Sequence, residues 1–194
     1  MKRILTTAIL AITIVGLSYG REPQRGYRGF FDWDNSVGSM PYFDHSTGQD
    51  EKDLQWVLGW STVHGYQINN HIFIGAGILV AYGLPSLDCT LPVFLDFRYD
   101  RSFNKFRPFG DVRIGYNLTD GGGLYFSPSV GHRFNWGRKV GLNIGVGLTL
   151  RGRTSEIYKF DVASDPSSPL FEIRYLGRKH YTDAFFTFRL GIDF

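Results

Sequence analysis

The sequence predicts an all-β fold: a closed, antiparallel, up-and-down barrel of eight transmembrane strands with its apolar face outside. Three observations predict it. Apolar and polar side chains alternate in eight separate segments, with the two-residue period of a strand. Glycines gather on the polar parity of those segments. Short polar turns alternate with longer segments along the chain.

The first twenty residues are a separate object. Met1-Lys2-Arg3 is a short positive start, Ile4 to Leu17 is apolar, and Ser18-Tyr19-Gly20 offers small residues for cleavage. The pattern is that of a secretory signal peptide over 1–20, leaving 21–194 as one domain. Loss of Lys2 and Arg3 reduces 21 basic residues to 19, against 18 acidic ones. A nearly neutral chain with dispersed charges does not suggest a nucleic-acid partner. The single cysteine, Cys89, excludes an internal disulfide. Aromatics make up 16% of residues and glycines number 24, yet mean hydropathy is only −0.15. That combination suits strands with one apolar face rather than membrane helices.

The segments run in order as follows. Tyr27, Phe31 and Trp33 oppose Arg28 and Asp32 in the first and weakest. Trp56, Leu58, Trp60, Thr62 and Tyr66 oppose Gly59, Ser61, Gly65 and Gln67. Ile72, Ile74, Ala76, Ile78, Val80 and Tyr82 oppose Gly75, Gly77 and Ala81. Leu91, Val93, Leu95, Phe97 and Tyr99 oppose Phe94, Asp96, Arg98 and Asp100. Val112, Ile114, Tyr116 and Leu118 oppose Asp111, Arg113, Gly115 and Asn117. Leu124, Phe126, Val130 and Phe134 oppose Tyr125, Ser127, Ser129, Gly131 and Arg133, with Pro128 and His132 as blemishes on the apolar face. Val140 to Leu150 alternates almost without interruption against Gly141, Asn143, Gly145, Gly147, Thr149 and Arg151. Thr182 to Phe194 closes the series, with Phe186, Phe188, Leu190, Ile192 and Phe194 opposite Asp183, Phe185, Thr187, Arg189 and Asp193.

Short turns are predicted at 67–71, 101–107 and 135–139, and longer loops at 34–53, 83–90, 117–123 and 152–180. An even strand number puts both termini on the short-turn side. Glycine on the inward parity fits a narrow interior that side chains must fill. Outward aromatics near strand ends make two girdles: Tyr27, Tyr66, Tyr99, Phe134, Trp136 and Phe194 on one side, Trp33, Trp56, Tyr82 and Tyr116 on the other.

In these strands and in its terminal run Phe188-Arg189-Leu190-Gly191-Ile192-Asp193-Phe194, the chain resembles the small eight-stranded outer-membrane β-barrel family, of the OmpX and OmpA transmembrane-domain type. The resemblance implies a monomer in the bacterial outer membrane with periplasmic termini. It implies outer-membrane lipid and, during insertion, the barrel-assembly machinery as partners. It also implies that Phe188, Leu190, Ile192 and Phe194 form the assembly signal.

The candidate site is a lumen charge cluster of Asp96, Arg98, Asp111, Arg113, Arg133, Arg151 and Arg189, with Asp183 and Asp193 on the same parity. One register pairs Asp96 with Arg113 and Arg98 with Asp111, since each pair sums to 209. Confined charges must be paired or hydrated, so the cluster is expected to plug the interior. His132 has the opposite parity to Ser127 and Ser129, so no Ser–His dyad is expected on that strand, and no enzyme. The histidines lack metal-ligand spacing, and no cofactor is called for. Gly121-Gly122-Gly123 lacks the Lys-Ser/Thr of a phosphate loop. The expected role is structural or one of surface interaction, adhesion or partner binding, through the outer loops. The segment 152–180, with Ile157, Tyr158, Phe160, Leu170, Phe171, Ile173 and Tyr175, is the leading surface unless the strands extend there as a hairpin. A narrow solute channel and a lipid-modifying enzyme are the alternative roles.

Overall fold

The computed structural model describes residues 25–194 apart from 46–47, 85–87, 103–105, 120, 137–139 and 163–170. The segment read as a signal peptide, 1–20, lies outside the described residues. The strands are β1 (Gly26–Asp44), β2 (Gln49–Gln67), β3 (Ile72–Leu84), β4 (Cys89–Thr90), β5 (Pro92–Asp100), β6 (Pro108–Asn117), β7 (Gly123–Trp136), β8 (Val140–Val162) and β9 (Phe171–Asp193). Each long strand pairs antiparallel with its sequence neighbour, and β1 pairs with β9. Hydrogen bonds therefore run in a ring through eight strands. β4 is a two-residue stub beside Ala81 and Tyr82 of β3.

The alternation read from the sequence is the inside–outside alternation of this ring. Inward Asp96, Arg98 and Asp100 are buried, while Leu95, Phe97 and Tyr99 between them are 53%, 42% and 51% exposed. β5 and β6 pair in the register anticipated, Asp96 with Arg113 and Arg98 with Asp111. The ladder between β7 and β8 breaks at Ser127 and Pro128 and resumes in the same register at Ser129. Pro128 has no N–H to donate, so the gap follows directly from the residue type.

Among the described residues, most of 34–53, read as a loop, is strand, and 152–180 follows the alternative the sequence left open, a hairpin extension of its two strands. β1 and β2 continue upward past Trp33 and Trp56 and remain paired to Asp44 and Gln49, so 34–53 is a tight hairpin. β8 and β9 run 23 residues each, against 9 for β5, and stay paired to Val162 and Phe171. β8 leaves β7 at Arg151 and β9 leaves β1 at Ala184, so a two-stranded ribbon projects beyond the ring. A bulge follows Ile157, where Gly177 takes a φ of 129°. That conformation is costly for any residue with a Cβ. Gly121 and Gly122, with φ near 70°, turn the β6–β7 connection against the Thr154 carbonyl, so their role is conformational.

Inside, aromatic rings lie over glycines. A Cβ on Gly65 or Gly75 would meet the Phe73 ring, one on Gly77 the Phe94 ring, and one on Gly131 the Phe109 ring. Phe30, Val63, Phe73, Leu79, Ala81, Phe94 and Tyr125 join into one apolar streak within the ring. The sequence pattern marked Phe94 and Tyr125 as inward but passed over Val63, Phe73 and Leu79.

Glycine tolerance should therefore differ sharply along one strand. A Cβ at Gly115 would lie 2.0 Å from the Val93 carbonyl oxygen, whereas at Gly110 the nearest atom is 3.8 Å away. Gly115→Ala should cost about 1–3 kcal/mol by forced backbone shift, and Gly110→Ala should stay within about 0.5 kcal/mol of the parent. Urea unfolding of the two variants checks this.

Candidate functional site

The interior charges form three tiers. At the short-turn end, the Arg28 guanidinium donates to Asp193 (3.1 Å), Gln67 (2.9 Å) and Asp100 (2.6 Å). Arg98 donates to Asp100 (2.9 Å) and Asn143 (2.7 Å), with its guanidinium 3.6 Å from the Phe109 ring centre. Arg133 grips Asp193 through Nε and Nη2 and also reaches Asn135. In the middle tier, Arg113 bonds Asp32 and Ser61 and lies 3.6 Å from Asp34 and 3.7 Å from Asp96. Arg189 donates to Asp34 (2.7 Å) and Asp111 (3.0 Å). Ser61 donates to Asp34 and Ser129 to Asp111. In the outer tier, Arg151 and Arg153 share Asp183 at 2.8 and 3.2 Å.

Every member of the predicted cluster is in this network. One pairing needs correction. Asp96 does face Arg113, but Arg98 turns to Asp100 and Asn143, while Asp111 takes Arg189 and Ser129. The cause is geometric. The Arg98 stem carries its guanidinium along its own strand to Asp100 and across the ring to Asn143 of β8, while Arg189 reaches Asp111 from β9.

Arg28, Asp32 and Asp100 carry the inward parity in the sequence but fall outside the predicted cluster, and Asp34 and Arg153 fall within predicted loops. Extending the period-two pattern past Trp33 would have found Asp34. Counted as ionised, the tiers carry +1, −2 and +1. Seven arginines therefore balance seven aspartates. Arginine suits this role because its planar fork bridges several acceptors at once and stacks on aromatic faces. Among the described residues, Asp32 Oδ1 and Asp96 Oδ1 are buried carboxylate atoms without a hydrogen bond.

His132 and the two serines diverge, as the parity required. His132 accepts from the Arg107 N–H on the outside, whereas Ser127 bonds Thr149 and Ser129 bonds Asp111 inside. On the outer side of the ring, Lys179 and Tyr181 of β9 both bond Asp50 of β2, and His45 bonds the Tyr158 carbonyl at 2.5 Å. These contacts brace the projecting ribbon against the β1–β2 hairpin. Exposed Tyr175 packs on Tyr158 with ring centres 5.5 Å apart, and Arg178 pairs with Glu156. Leu170 falls outside the described residues, and the side chains of Phe160, Phe171 and Ile173 are not described. No protein-family model matches the chain, and no curated protein matches it.

Two measurements follow from these contacts. Arg113→Ala leaves buried carboxylates unpaired and should destabilise the protein by about 3–5 kcal/mol. In a double-mutant cycle with Asp32→Ala, the combined loss should fall short of the sum by about 0.5–3 kcal/mol; an additive result would rule out the pair. In the brace, the hydrogen bond from Lys179 holds the Asp50 carboxyl below the usual carboxylate range, and the same bond raises the Lys179 ammonium. The contact should persist through neutral pH. It should be lost as pH falls through the lowered Asp50 pKa or rises through the raised Lys179 pKa. An NMR titration of the Asp50 side chain should show its depressed midpoint return to the ordinary range in Lys179→Gln.

Proposed function

We propose that the protein is an eight-stranded transmembrane β-barrel of the bacterial outer membrane, acting through its outer hairpins in a structural or surface-interaction role. The observation that carries this is the inversion of polarity. Among the described residues, 35 large apolar side chains are exposed, while 11 apolar side chains and 23 polar or charged ones are buried. A water-soluble ring would put this apolar surface inside. A closed ring also satisfies its backbone groups without water, as lipid demands. Tyr27, Tyr66, Tyr99 and Phe194 are exposed toward the short-turn end, and Trp56, Tyr82 and Tyr116 toward the other, where interfacial girdles belong.

The terminal residue supports the assembly reading. The Phe194 N–H donates to the Gly29 carbonyl, the Gly29 N–H donates to the Phe194 carbonyl, and the ring covers Gly29. Phe186, Phe188, Ile192 and Phe194 all point outward. The filled interior argues against a solute channel, and the braced hairpins argue for a fixed outer surface.

Spin labels test the membrane placement. In liposomes, a label at Leu95 or Leu148 should be accessible to oxygen and shielded from a water-soluble relaxant, and one at Arg178 should show the reverse. Aqueous accessibility at Leu148 equal to that at Arg178 would refute insertion. Phe194→Asp should leave the chain out of outer-membrane fractions and sensitive to protease. Planar bilayers containing the parent should show no stable conductance; steady conductance would favour the channel.

A further inference from the structure

We propose that the outer mouth of the ring is a closed-bottom binding site for a small hydroxylated anion of monosaccharide size, a sugar phosphate or sugar acid. A cavity of about 260 Å³ opens there between β1, β2, β3 and β8. Its wall includes Arg151, Arg153, Thr90, Thr154 and Ser155. The volume lies near the low end of the ~300–1,000 Å³ range of small-molecule sites, which limits the ligand to one ring.

The charge of the wall selects the ligand's sign. Arg151 and Arg153 are both nearly buried, at 8% and 14% side-chain exposure, and they share one carboxylate, Asp183, which is fully buried. Asp88 also borders the cavity, but it is exposed, where water screens it. Arg151 holds Asp183 Oδ2 through Nε and Nη2. Arg153 bonds Asp183 Oδ1 through Nε and the Pro41 carbonyl through Nη2. Those two bonds fix the plane of the Arg153 guanidinium and leave Nη1 uncommitted among the described residues. A rigid guanidinium with donors to spare is suited to a phosphate or carboxylate. The Thr90 and Ser155 hydroxyls on the same wall suit a ligand's hydroxyl groups.

The floor makes this a site rather than an entrance. Leu79, Pro92, Tyr125 and Phe185 narrow the interior below Arg151 to a space of about 30 Å³. That space holds one or two water molecules and no sugar.

Calorimetric titration of the detergent-refolded protein with glucose 6-phosphate, glucose and inorganic phosphate tests the proposal. Heat-modifiable gel mobility confirms folding first, so failure to form the barrel is distinguishable from failure to bind. Glucose 6-phosphate should bind more tightly than inorganic phosphate, and glucose should not bind. Arg153→Gln, in which Asp183 keeps Arg151, should weaken glucose 6-phosphate about 10- to 100-fold, the loss of one charge-assisted hydrogen bond. Ser155→Trp should abolish binding by filling the cavity without touching the ion pairs. Arg178→Gln, on the ribbon away from the cavity, should leave binding unchanged. No binding by the folded parent, equal affinity for inorganic phosphate, or equal weakening by Arg153→Gln and Arg178→Gln would overturn the site.

Discussion

Everything inside the ring depends on the charge balance between its arginines and aspartates. A charge taken from water costs several kcal/mol unless its partners replace the lost hydration. Here several guanidiniums span more than one acceptor, and two reach across the ring as well as to a neighbouring strand: Arg28 joins β1 to β2, β9 and the distant β5, and Arg189 joins β9 to β1 and the distant β6. The ion pairs thus tie opposite walls together, a task that backbone ladders between neighbouring strands cannot perform. The aromatic rings complete the packing. Phe30 lies under both Arg28 and Arg98 at 4.5 and 4.8 Å, so the apolar streak and the charged tiers share one surface.

This arrangement explains the glycines. A ring of eight strands has little interior volume, and an arginine or phenylalanine occupies most of the space between facing walls. The opposite position must then be empty. Gly65 and Gly75 yield to Phe73, and Gly141 yields to Arg133 and Asp193. Large and small residues alternate between neighbouring strands as well as along each strand.

Much of the ring was legible in the sequence, because apolar side chains outside and charges inside give a strict period of two. The β5–β6 register could be read because both strands carry opposite charges at i and i+2. The upper halves of β1 and β2 could not, since Ser36 to Phe43 and Asp50 to Leu54 lack the apolar–polar alternation of the lower halves. The inward side chains of β3 were obscured for the opposite reason. Phe73 and Leu79 are as apolar as their outward neighbours, so Ile72-Phe73-Ile74 shows no contrast. The Asn143 partner of Arg98 was beyond reach, because it lies across the lumen on β8, which does not pair with β5.

The pairing of β1 with β9 also sets a timetable. Residues 30–39 bond residues 184–193, and Arg28 meets Asp193 across 165 positions of chain. Neither the backbone seam nor the lowest charged tier can form until the final strand has left the ribosome. Until then the inward aspartates and arginines lack half their partners, and the outward apolar rows lack a solvent that suits them. Such a chain gains little from folding piecemeal as it is made. Whatever pairs earlier, closure of the ring is a late event that waits for the final strand.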